Sequence, residues 1–108
     1  MTVTILLFFT HTSELDFDYY TNTHMKRASE LIGSDILISW EVFKLPDDAP
    51  YRAMVTTEWP SEEAFKIALD SKEGRLAHDD LPNCSKEEPI FALREFVGSS
   101  ATVLEGKK

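Results

Sequence analysis

The sequence predicts one α+β domain of order β-α-β-β-α-β, built on a four-stranded antiparallel sheet. Three observations carry that expectation. Four segments alternate their side chains with period two, two others repeat apolar residues at helical spacing, and Gly, Pro and capping residues punctuate the joins. The 108 residues, 43% of them apolar, suffice for one core and not for two.

Val3, Ile5, Leu7 and Phe9 alternate with Thr4, Leu6 and Phe8, and the β-branched and aromatic residues make this the first strand. Asp16 is placed to cap the helix that follows, and Asp18 lies in its first turn, where the helix dipole favours a carboxylate. Gly33 ends that helix. A long second strand is expected from Asp35 to Leu45, stopped by Pro46-Asp47-Asp48-Ala49-Pro50. Tyr51 to Glu58 alternates as a third strand, antiparallel to the second.

Ser61 is the expected cap of the second helix, with Glu62 and Glu63 in its first turn. Ala64, Ile67 and Ala68 should face inward, with an interruption at Ser71 to Gly74, a short turn from Leu76 to Asp80, and Pro82 as the stop. Ile90 to Val97 reads as the last strand. This is the ferredoxin-like plan, in which two helices cover one face of the sheet. Strands one, two and four carry large apolar residues on both faces, so a second copy of the sheet is the expected cover for the other face, making a homodimer with a barrel-like interior.

A formal charge of -8 argues against nucleic acid, which requires a Lys/Arg-rich face, and against an anionic membrane surface. The apolar run from Val3 to Phe9 is too short to span a bilayer and has no basic segment before it. Cys84 is the single cysteine, no zinc-type spacing is present, and a reducing compartment such as the cytoplasm is expected. No metal site and no cofactor are expected. Residues 1–98 make the domain and residues 99–108 a C-terminal tail.

Within the first helix, Phe17, Tyr20, His24, Ala28 and Leu31 share one face at 100° per residue, which turns His24 inward. A titratable imidazole there is either a hydrogen-bonded core residue or an acid/base in a pocket, and spacing alone favours the former. Tyr20, one turn earlier, is positioned to share a ligand oxygen with His24 or to orient its ring. A carboxylate from His78-Asp79-Asp80 could pair with His24, and Asp79 is the one assigned. Phe17, Ala28, His78 and Trp40 are the candidate pocket residues, although strand tryptophans such as Trp40 and Trp59 more often serve core or interface. Cys84 lacks a neighbouring cation that would activate it, and His11 reads as a loop residue.

Asp18-Tyr19-Tyr20-Thr21-Asn22-Thr23-His24-Met25, Pro50-Tyr51, Glu58-Trp59 with Ser61 and Glu63-Ala64-Phe65, and Asp80-Leu81-Pro82-Asn83 together resemble the EthD family of dimeric α+β barrel proteins. The resemblance runs over residues 3–98. It implies a cavity-facing histidine at position 24 and a protein of aromatic or polyketide metabolism, a group that includes dehydratases and cyclases. Two positions depart from the usual pattern: Lys26-Arg27-Ala28 stands where Pro-Leu-Val is common, and Cys84 where an aromatic residue is common. Both are expected to border the pocket mouth.

The resemblance tips the choice at His24 toward chemistry. The leading expectation is a cofactor-independent enzyme with His24, Tyr20 and Asp79 as catalytic residues, acting on a hydrophobic small molecule by dehydration, cyclisation or isomerisation. The alternatives are a binding or carrier protein without chemistry, and a haem-dependent enzyme with His24 or His78 as axial ligand.

Overall fold

In the computed structural model, which describes residues 2–101, the chain forms a four-stranded antiparallel sheet in the order β2-β3-β1-β4 with its helices on one face. The strands are β1 (Val3–Phe9), β2 (Ser39–Lys44), β3 (Ala53–Trp59) and β4 (Ile90–Arg94). The helical layer comprises α1 (Phe17–Tyr19), a π-helical segment (Tyr20–His24) and α2 (Met25–Ile32), which run on as one rod, then α3 (Glu62–Asp70) and α4 (Lys72–Asp79). This is the ferredoxin-like α+β plan. From residue 102 onward, the tail read over 99–108 lies outside the described residues.

The period-two pattern of the strands sets the two faces. Ile5, Phe9, Ala53, Val55, Thr57 and Trp59 are buried beneath the helices, and the register pairs Ile5 with Thr57, Leu7 with Val55, and Phe9 with Ala53. Phe9, fully buried, meets Tyr20 edge-on at 5.2 Å between ring centroids, and Trp59 meets Phe65 at 5.0 Å. Each such aromatic contributes about 1.5–3 kcal/mol by burial, so these two contacts are what clamp the helices to the sheet.

Asp16 caps the first helix, its carboxylate accepting from the Tyr19 amide, and Gly33 ends it with a φ of 94°. Between them the helix widens. The Met25 amide bonds the Tyr20 carbonyl across five residues, so Met25 falls inward beside His24 and both are buried, which a constant 100° step does not anticipate.

Three strand boundaries and one helix face differ from the sequence expectation. The second strand begins at Ser39 and not Asp35, because the amides of Ile36 and Leu37 turn back onto the Gly33 carbonyl and only from Ile38 onward does the backbone find a partner in β3. The third strand runs from Ala53 to Trp59. The last strand ends at Arg94 and not Val97, where its pairing with β1 stops at Thr4. Ile67 is 62% exposed, and Phe65 takes the inward position with Ala68.

The break between α3 and α4 falls at Ser71, whose hydroxyl accepts from the Gly74 amide and so caps the second of the two helices. Gly74 is buried in the corner, where a Cβ would lie 1.9 Å from the Ala68 carbonyl oxygen. Gly74→Ala is therefore expected to destabilise the chain by about 2 kcal/mol or more, read as a lower urea midpoint at unchanged slope. Wild-type stability in that variant would show that the corner yields freely.

Candidate active site

His24 comes from the π-helical segment, and the α4 end and the turn Leu81–Asn83 meet it from the other side. Backbone bonds bring them together: the Asp16 amide donates to the Cys84 carbonyl at 2.8 Å and the Lys86 amide to the Ser13 carbonyl at 2.8 Å. The start of the first helix is thereby pinned beside residues 80–86.

The His24 Nδ1 lies 3.2 Å from the Asp80 Oδ2. Asp80 Oδ1 accepts from the Tyr19 hydroxyl at 2.8 Å and from the Asn83 amide at 2.9 Å. Against a carboxylate, Nδ1 carries the hydrogen, so Nε2 keeps its lone pair and has no partner among the described residues. Tyr20 stacks on the imidazole, with centroids 5.1 Å apart and planes 21° from parallel. Its own hydroxyl makes no hydrogen bond among the described residues.

Beside this pair lies a cavity of about 100 Å³ between the sheet and the helices. Its walls are almost entirely apolar, formed by Leu7, Phe9, Met25, Ala28, Leu37, Trp59, Phe65 and Phe91 among others. Tyr20 and His24 face it, and His78 and Glu88 stand at its rim.

Burial pulls the His24 imidazole below its ordinary 6.5; the hydrogen bond and charge of Asp80 push the other way without cancelling it, and His78 adds to the lowering. Burial pushes Asp80 up, but the hydrogen bonds from Asn83, Tyr19 and His24 outweigh it and leave the carboxyl below its usual range. At neutral pH the pair is thus a neutral imidazole on a carboxylate. Burial drives the Tyr20 phenol far upward, which keeps its hydroxyl protonated and able to donate. Burial, with the charges of Asp80 and Asp16, also raises the Cys84 thiol to about 11, and its Sγ is turned onto the Leu81 carbonyl, so it is a poor nucleophile.

Of the residues singled out from sequence, His24, Tyr20, Ala28 and His78 meet at the cavity. Asp79 does not: it is exposed, and the carboxylate against His24 is that of Asp80, one residue further round the end of α4. Phe17 packs instead against Arg52 and Lys44, 5.0 and 5.8 Å from its ring, and Trp40 donates to the Ser29 hydroxyl at 2.8 Å. Neither lines the cavity, and neither do Lys26, Arg27 and Cys84. Tyr19 and Asn83 were missed as partners of Asp80. Asn83 stands three residues after it, a spacing that suits a side-chain bond across a turn. His11 bonds the Ala49 carbonyl at 2.7 Å, and among the described residues no three His, Cys, Asp or Glu side chains converge as metal ligands.

Fold and site together define a ferredoxin-like α+β protein with a His–Asp pair facing an apolar cavity. No protein-family model and no curated protein matches the chain. Solved structures match it along nearly its whole length. An EthD-like protein from Ralstonia eutropha superposes with a TM-score of 0.74 at 23% identity, covering 93% of this chain and 96% of that one. SnoaB, a cofactor-independent oxygenase from Streptomyces nogalater, gives 0.61 at 12% identity over 92% and 95% of the two chains. A dimeric ferredoxin-like protein of unknown function from Thermobifida fusca gives 0.59 at 14% identity over 89% and 92%. The chain therefore has the fold of the EthD-like proteins, and the likeness read from its sequence holds at that level.

An NMR titration of the imidazole tests the electrostatics. The His24 midpoint is expected below 6.5 in the parent and lower still in Asp80→Asn, since both contributions of Asp80 favour the charged ring. Because the folded value lies below the unfolded one, the protein should lose stability as pH falls below about 6.5. A midpoint above 6.5 would contradict the neutral imidazole.

Proposed function

We propose that this chain is a cofactor-independent enzyme in which His24 acts as general base and then acid on a hydrophobic small molecule of the aromatic or polyketide kind. The observation that carries the reading is the geometry of His24, which is held at Nδ1 by Asp80, has no partner at Nε2 among the described residues and lines an apolar cavity. Such a nitrogen can take a proton from a carbon next to a carbonyl or from a phenol, and return it to a departing hydroxyl or another carbon. Asp80 holds the tautomer and stabilises the imidazolium as it forms, while Tyr19 and Asn83 hold Asp80. Tyr20 supports the ring by stacking and can donate a hydrogen bond to the substrate.

Dehydration, cyclisation and isomerisation all begin with that proton transfer. So does deprotonation of a phenol or enol to an electron-rich anion, a first step that suits the likeness to a cofactor-independent oxygenase. The apolar walls also suit a carrier of an apolar metabolite, and the two readings part at His24, which a carrier does not need.

The working unit of this proposal is a homodimer. On the sheet face away from the helices, Phe43, Met54, Phe8 and Ile90 stand in one register row across all four strands, and Phe43 and Ile90 are 40% and 47% exposed. Two rows away, Ser39, Glu58, Thr4 and Arg94 form a polar row tied by the Thr4–Glu58 bond. An apolar band with a polar margin supports packing against its own copy. The dimeric neighbour of the same fold supports this too.

His24→Ala is expected to lower kcat by at least about a hundredfold on any substrate the parent turns over, with the dimer intact by sedimentation. Turnover at the parent rate would remove the acid/base reading. Phe8→Glu should sediment as a monomer, and a parent-like dimer in that variant would exclude the outer face as the interface.

A further inference from the structure

The polar groups at the cavity are few, and they are not distributed evenly. Thr57 is used internally, donating to the Ile5 carbonyl at 2.9 Å and accepting from the Trp59 indole at 2.7 Å. That leaves His24 and the Tyr20 hydroxyl at the inner end and His78 with Glu88 at the rim. His78 Nε2 and Glu88 Oε1 are 2.5 Å apart and join the last turn of α4 to the segment entering β4, with 58% and 61% of their side chains exposed. Pro89 and Phe91 complete that side of the opening.

Among the described residues, no Lys or Arg lines the cavity. Lys44 and Arg52 lie over the Phe17 ring, outside the cavity. Two carboxylates bracket the space instead: Asp80 behind His24, and Glu88 at the rim. An anionic group entering here would meet a carboxylate at both ends, and the one basic group at the rim, His78, is already engaged by Glu88, in a site whose apolar walls strip the ligand of water. A neutral group meets no such penalty: a hydroxyl can donate to Nε2 of His24, and a carbonyl can accept from the Tyr20 hydroxyl.

We propose that Glu88, with His78, is the specificity-determining rim of this site: it admits an uncharged ring bearing a hydroxyl or carbonyl and turns away the corresponding carboxylate. At about 100 Å³ the cavity is smaller than the roughly 150 Å³ apolar cavity that takes up benzene, so it has room for one aromatic ring at most. Larger substrates would place one ring inside and pass the rest out past His78 and Glu88. This rests on the cavity being the substrate site, and it is tested without turnover.

The experiment is calorimetric binding of p-cresol and of 4-methylbenzoate, one neutral and one anionic near neutral pH, to the purified full chain at low ionic strength. The parent is expected to bind p-cresol at least about tenfold more tightly, a ratio that shrinks in about 1 M salt. Glu88→Gln, which keeps the shape, should narrow the ratio to within about threefold by tightening the carboxylate alone. Glu88→Lys, at the same exposed position, should favour the carboxylate. Equal affinities in the parent, an unchanged ratio in Glu88→Gln, or no binding of p-cresol would each overturn the proposal. Because the readout is equilibrium binding, loss of turnover in His24→Ala and loss of charge discrimination in Glu88→Gln are separate results.

Discussion

A carboxylate with little access to water has to be supplied with donors, and in this protein that requirement falls on Asp80, whose side chain is 13% exposed. Its three donors come from three places: Tyr19 in the first turn of the first helix, His24 in the π-helical segment, and Asn83 in the turn after α4. Satisfying one charge therefore sets the distance between the first helix and the second helical pair. It also selects the His24 tautomer. The packing of the helical layer and the chemistry of its histidine are in this sense one constraint.

The widened turn at Tyr20 to His24 makes that constraint compatible with the core. In a regular helix Met25 would rotate away from the sheet; with the Met25 amide bonded five residues back, Tyr20, His24 and Met25 are all buried on one side. Tyr20 then has Phe9 of the sheet at its edge and the imidazole at its face. A ring fixed on both sides holds His24 with little freedom, as an acid/base group needs. The same burial that fixes the ring lowers its affinity for a proton, so position and protonation state share a cause.

The sheet serves two purposes through its period of two. Odd-numbered residues of β1 build the core and the cavity wall, while Leu6 and Phe8 face the other way with Met54 and Ile90. Gly74 lets α4 turn tightly enough off α3 to bring Ala77 and His78 over the cavity. Because β4 is an edge strand paired on one side alone, the cavity opens beside it, and there His78 and Glu88 meet.

The order of elements, the caps at Asp16 and Ser61, the stop at Gly33, the two-faced sheet and the inward turn of His24 are all legible in the amino-acid sequence. Each follows from local propensity or from one period, which neighbouring residues alone express. Tertiary structure decided the rest. Whether Asp79 or Asp80 meets His24 depends on the rotation of the last turn of α4 relative to a helix more than fifty residues away, and one residue is 100° of rotation. Trp40 and Phe17 lie in apolar patterns that suit a pocket wall, and only packing shows them turned to Ser29 and to Arg52. The π turn, the partners of Asp80 and the pairing of His78 with Glu88 are contacts between distant segments, or departures from the regular period. Neither leaves a mark in a pattern read a few residues at a time.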